Sequence, residues 1–134
     1  MERAVSIGDP VSPDVCVTIP ARPNFVRLLR AVAASVGARL DLTYDRIDDL
    51  RIVVDEASAQ VLRLPARTLT MRVTPGEAVV IRIHTDASSD GSWPPPALEE
   101  TLAWRVLSGL ARDVRFELDD GRPSVRIEMD AGGR

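Results

Sequence analysis

Lysine is absent from this 134-residue chain, and all 17 of its basic residues are arginine. A P-loop lysine, a Schiff-base lysine and Ser-Lys catalysis are therefore excluded, because each needs the primary amine. Cysteine occurs once, as Cys16, which excludes an internal disulfide and a cysteine-based zinc cluster. Histidine also occurs once, as His84, so no structural metal site is expected. Aromatic residues make up only 4% of the chain, which leaves the core to Val, Leu, Ile and Ala. No apolar run approaches the length needed to cross a membrane. Residues 1–14 carry charges, Pro and Gly without the apolar segment of a signal peptide, and a cytoplasmic protein is expected. The net charge of −3 argues against a nucleic-acid partner, since such proteins concentrate basic excess on one face.

What the chain does have is enough apolar sequence, 45% of its residues, for one buried core. Residues 1–13 read as a flexible leader, 14–130 as a single domain, and 131–134 as a frayed C-terminus. Val15, Val17 and Ile19 alternate with Cys16 and Thr18 in the period of a half-buried strand. A helix is expected from about Pro23 to Gly37, with Phe25, Leu28, Leu29, Val32 and Val36 at three- and four-residue spacing. Strands at Leu69–Val73 and Val79–Ile83 flank Thr74-Pro75-Gly76-Glu77, a strong turn signal. Residues 85–96 form a polar Gly/Pro-rich loop, followed by a helix over about Ala97–Leu110. Two last strands, Val114–Leu118 and Val125–Met129, flank the hairpin turn Asp119-Asp120-Gly121-Arg122. This order predicts an α+β two-layer sandwich, a mixed, mostly antiparallel sheet with helices on one face.

Residues 44–64 carry the most chemistry. They read as one helix, with Thr43 as N-cap, Asp45, Asp48 and Asp49 in its first turns, and Pro65 as its stop. Ile47, Leu50, Val54, Ala57 and Val61 form its buried stripe. Glu56 and Gln60 share a face by their spacing of four. Such an acid and amide suit a metal ion or a nucleotide, or are simply a solvated helix face. His84 reads as a structural or surface residue, and Cys16 as a small core residue.

The element order, Phe25-Val26-Arg27 opening the first helix, Leu50–Gln60 in the second and the run WRVLSGLARDV (Trp104–Val114) together resemble the RsbW-type anti-sigma factors. These are single-domain members of the GHKL (Bergerat) ATP-binding fold, and the resemblance spans residues 14–130. The last run, followed by Asp119-Asp120-Gly121-Arg122, is most similar to the actinobacterial, UsfX-like branch. Catalytic members carry an acid and, four residues on, a Mg²⁺-holding Asn. Here the resemblance makes Glu56 the relic base and puts Gln60, one methylene longer, at the Asn position. It aligns Asp86 with the adenine-binding acid of an Asp-x-Gly-x-Gly box, but Ala87-Ser88-Ser89 follow instead of glycines. It aligns Thr101 and Ala103 with a Gly-x-Gly that elsewhere lets backbone amides approach phosphate.

The resemblance therefore implies an anti-sigma factor with a degenerate nucleotide site, whose vestigial contacts are Gln60 and Asp86. No catalytic residue beyond the relic base Glu56, and no resident metal or cofactor, is expected, with ATP/Mg²⁺ kept as the alternative. It further implies a sigma factor of stress or sporulation type as target, release by an anti-anti-sigma factor, and a homodimer. Arg27 matches an arginine that contacts these partners. Trp93, beside Pro94-Pro95-Pro96, is either rigid loop filler or an exposed anchor for a partner groove. The alternative functions are an ATP-dependent serine kinase of the anti-anti-sigma factor, with Glu56 as base and Gln60 as Mg²⁺ ligand, and a non-catalytic sensory domain of the same fold.

Overall fold

The computed structural model describes residues 14–89 and 91–131. The expected leader, residues 1–13, and most of the expected C-terminal fray lie outside the described residues. Strand β1 (Val15–Pro20) is followed by a 3-10 turn at Pro23–Phe25 and helix α1 (Val26–Arg39). Helix α2 (Tyr44–Val61), β2 (Thr68–Thr74), β3 (Ala78–Thr85), α3 (Leu102–Leu110), β4 (Asp113–Asp119) and β5 (Arg122–Asp130) complete the order. The strands form one sheet in the order β1-β2-β3-β5-β4, and every neighbouring pair is antiparallel. The expected α+β sandwich is observed, and among the described residues the sheet has no parallel pair, so the expected mixed character is not seen there.

Strand register decides which residues meet. One cross-strand row on the helix side runs Val17, Met71, Ile83, Val125 and Phe116, and the next runs Val15, Val73, Ile81, Ile127 and Val114. These apolar rows pack beneath Leu29, Ala33, Leu50, Val53, Val54, Ala57 and Val61 from α1 and α2. Helix α2 lies over β3 and β5, with α1 over β2 and α3 beside β4. At Gly37 a side chain would meet Leu50 and Ile47, so the missing Cβ lets α1 approach α2 closely. The β4–β5 turn places Asp120 and Gly121 at φ of 54° and 78°. That is the two-residue geometry with positive φ at both central positions, which matches the right-handed strand twist.

Local signals explain most helix ends. The Thr43 hydroxyl accepts a hydrogen bond from the Arg46 amide, the N-cap its position predicts. Helix α2 ends at Val61, three residues before the expected end, and residues 62–64 unwind in a turn ahead of Pro65. The expected helix over Ala97–Leu110 is broken. A 3-10 turn at Leu98–Glu100 is followed by extended Thr101 (ψ 154°), and only Leu102–Leu110 is α-helical. The Thr101 hydroxyl accepts from the Trp104 amide, which makes residue 101 a cap and stops a helix from running through it.

Candidate functional site

Helix α2 presents Glu56 and Gln60 as its spacing requires, but they border different cavities. Glu56 lines a largely apolar cavity of about 340 Å³ with Pro23, Val26, Asp55, Ala59, Leu62 and Arg63, between the start of α1 and the end of α2. Gln60 lines a smaller one of about 170 Å³ with Arg63, Leu64, Ser92, Trp93, Pro95 and Pro96. Arg63 borders both, and Asp86 borders neither. A cavity of 170 Å³ is below the range of about 300–1,000 Å³ that encloses a ligand of cofactor size.

Trp93 occupies the space beside Gln60, and an exposed partner anchor at this position is corrected by its burial. Its ring is 5% exposed, belongs to the main core cluster, and stacks on Phe116 with centroids 5.2 Å apart. Its indole N–H donates to the Glu117 carbonyl at 3.0 Å. The loop-filler alternative is the one its surroundings match. An aromatic-poor sequence has few side chains large enough to close the gap between α2 and β4, and this loop supplies one.

Asp86 is exposed at the end of β3, and one of its oxygens is engaged by the backbone. Oδ1 accepts from the amides of Arg67 (3.0 Å) and Thr68 (3.1 Å), and the Thr85 hydroxyl lies 3.4 Å away. These bonds, Thr68 first and Arg67 next, lower the carboxyl pKa below its ordinary value. A lowered folded-state pKa stabilises the fold at pH values above the ordinary 3.8. That contribution is lost as the pH falls through the folded value. Asp86→Asn is therefore expected to be less stable than wild type at neutral pH, with the gap narrowing in acid. Urea unfolding midpoints measured stepwise from pH 7 downward check this; a gap independent of pH would show that the charge plays no part.

Where the resemblance aligns a Gly-x-Gly, the Thr101 hydroxyl caps the first turn of α3, and the Ala103 side chain is buried. The amide that a phosphate would need is partly engaged, and no glycine opens the approach. Glu56 and Gln60 thus line separate cavities, and Asp86 lines neither of them.

Arg27 is exposed in the first turn of α1 and has no ion-pair partner among the described residues. It follows Val26, which lines the 340 Å³ cavity. Its neighbour Arg30 is paired with Asp55 of α2. Leu28 is 47% exposed on the same helix. Cys16, expected in the core, is exposed on β1, which is an edge strand. Its side chain falls on the sheet face opposite the helices, because strand alternation gives the helix side to Val15 and Val17.

The sheet face away from the helices carries a feature that strand-by-strand reading did not reveal. Cys16, Arg72, Arg82, Arg126 and Arg115 form one row across all five strands. Single-strand patterns show each arginine as an outward residue, and only the register shows that four of them are adjacent.

Among the described residues, an antiparallel sheet with three α-helices packed on one face, α2 over β3 and β5, is consistent with a GHKL-like α+β sandwich. No family model matches the chain. Two curated proteins named anti-sigma-F factor RsbW, from Mycobacterium tuberculosis strains CDC 1551 / Oshkosh and ATCC 25618 / H37Rv, are each 32% identical to it over 111 residues. The match covers 81% of this chain and 64% of each relative, so the chain spans less than two thirds of their length. A serine-protein kinase RsbW from Bacillus subtilis strain 168 is 38% identical over 45 residues, 34% of this chain and 28% of that protein. The chain belongs with the RsbW-type proteins.

Proposed function

We propose that the chain is an anti-sigma factor that sequesters an alternative sigma factor of stress or sporulation type in the cytoplasm. A homodimer of the chain holds the sigma factor away from RNA polymerase core, and an anti-anti-sigma protein releases it by competing for an overlapping surface. Such a switch needs only a stable surface and mass action between two partners. The observation that carries this reading is the likeness over 81% of the chain to proteins named anti-sigma-F factor. Support also comes from the start of α1, where Arg27, without an ion pair among the described residues, stands beside an apolar cavity of about 340 Å³. A cation next to an apolar recess is the combination that protein interfaces favour at their anchors.

The same reading assigns no catalytic step to Glu56. Relatives matched over about a third of the chain are named serine-protein kinase RsbW, and the second reading follows from them. Calorimetry with Mg-ATP separates the two. Under the proposal no heat of tight binding is expected and capture of the sigma factor proceeds without nucleotide. Tight binding together with phosphate transfer to a serine of the antagonist would replace it with the kinase reading. Failure of every alternative sigma factor of the host to be captured by the chain would sink both sequestration and release.

A further inference from the structure

The row of arginines on the open sheet face is costly unless something neutralises it, because like charges directly opposite on neighbouring strands repel. At its β4–β5 end the neutralisation is internal. Asp113 reaches Arg115 at 2.9 Å and Arg126 at 3.8 Å, and Glu128 reaches Arg126 at 3.6 Å. At the β2–β3 end it is thinner. Arg72 has Asp14 at 3.3 Å and Arg82 has Glu117 at 3.6 Å, each through a single nitrogen. The Nε of Arg82 is buried without a hydrogen-bond partner. Arg122 has no ion pair among the described residues.

These three arginines converge. Arg72, Arg82 and Arg122 line a cavity of about 400 Å³ together with His84, Asp119 and Asp120. Each face of the cavity has a charge that must be counted. Strands β2, β3 and β5 contribute Arg72, Arg82 with His84, and Arg122. Strand β4 and its turn contribute Asp119 and Asp120, and Asp119 lies 3.5 Å from the Ser124 hydroxyl. His84 reports the balance of these fields. Its pKa is lowered by burial first, then by Arg72 and Arg82, against the opposing pull of Asp119.

We propose that this cavity binds a small multivalent oxyanion, phosphate or polycarboxylate in class, between Arg72, Arg82 and Arg122. Guanidinium groups present planar forks of N–H donors that match such oxygens, and three of them line this one cavity. An anion seated there neutralises the thin end of the row, as Asp113 and Glu128 neutralise the other. It also lies beside the imidazole, so binding favours the protonated form of His84. By linkage the anion then binds more tightly as the pH falls through the His84 titration.

His84 is the sole histidine, so its Cε1–H resonance is an unambiguous reporter of this cavity. The full chain is titrated with inorganic phosphate and with citrate, each against sodium chloride at matched ionic strength, and at two protein concentrations. Saturable displacement of the His84 resonance is expected with at least one of the two anions, accompanied by an upward move of its titration midpoint. Arg122→Gln removes an exposed arginine that no acid holds, and is expected to weaken binding about tenfold, as for loss of one charge-assisted contact. Arg115→Gln, in the same row but outside the cavity, is expected to bind as wild type does. No response to either anion beyond that to chloride overturns the proposal. So does a response equal in Arg122→Gln and wild type, or one that follows protein concentration instead of anion.

Discussion

Trp93→Ala is expected to lose about 3–5 kcal/mol of folding stability, a large fraction of the roughly 5–15 kcal/mol that holds an ordinary domain folded. Three losses combine. The ring is almost wholly buried in the main core cluster, so its removal forfeits transfer energy and leaves a cavity between α2 and β4. The stack on Phe116, itself flanked by Trp104 at 6.3 Å, contributes about 0.5–1.5 kcal/mol beyond area. The Glu117 carbonyl loses its indole donor. Trp93→Phe retains the stack and most of the volume, and is expected to cost about 1–2 kcal/mol, chiefly for the lost hydrogen bond and residual void. Urea unfolding midpoints of the two variants give the comparison. A Trp93→Ala protein as stable as wild type, but weakened in partner capture, would return Trp93 to the role of an exposed anchor.

That residue also marks how far the sequence could be read. Periodicity and turn chemistry are local, and they located the strands and α2 to within a few residues. Thr43 as N-cap, Pro65 as a stop and Asp120-Gly121 as a hairpin turn each act within four residues of themselves. Thr101 was legible in principle, since threonine favours caps over helix interiors, yet the apolar spacing of Leu98 and Leu102 runs straight through it. The orientation of Trp93 depends on Phe116, 23 residues away, and nothing in TDASSDGSWPPP specifies that contact. The arginine row is less local still, because one residue of slip in any strand would send its arginine to the helix side. For the site helix, spacing correctly put Glu56 and Gln60 near each other. The division of their surroundings into two cavities comes from Arg63 and the Trp93 loop, and is a tertiary fact.

Under the proposed function, Arg27→Glu is expected to weaken capture of the sigma factor on the order of 100-fold, about 2–3 kcal/mol, while leaving the fold intact. The two effects separate because of where Arg27 stands. It lies in the first turn of α1, where the aligned peptide dipoles make the helix end electropositive and no acidic residue offsets it. A positive charge there works against the helix, and glutamate in its place is expected to add about 0.3–1 kcal/mol of stability. Arg27 is exposed and has no ion-pair partner among the described residues, so the substitution breaks no internal contact. Arg39→Glu, a control at the opposite end of the same helix, is expected to alter capture by no more than a few-fold. It should also destabilise slightly, since cations belong at that end. Affinity for the captured sigma factor and unfolding midpoints, measured on both variants, resolve the roles. Undiminished capture by Arg27→Glu would remove this helix end from the interface; capture lost only with stability would make Arg27 a folding residue. A more stable protein that no longer binds is the signature of an arginine retained for a partner against the preference of its own helix.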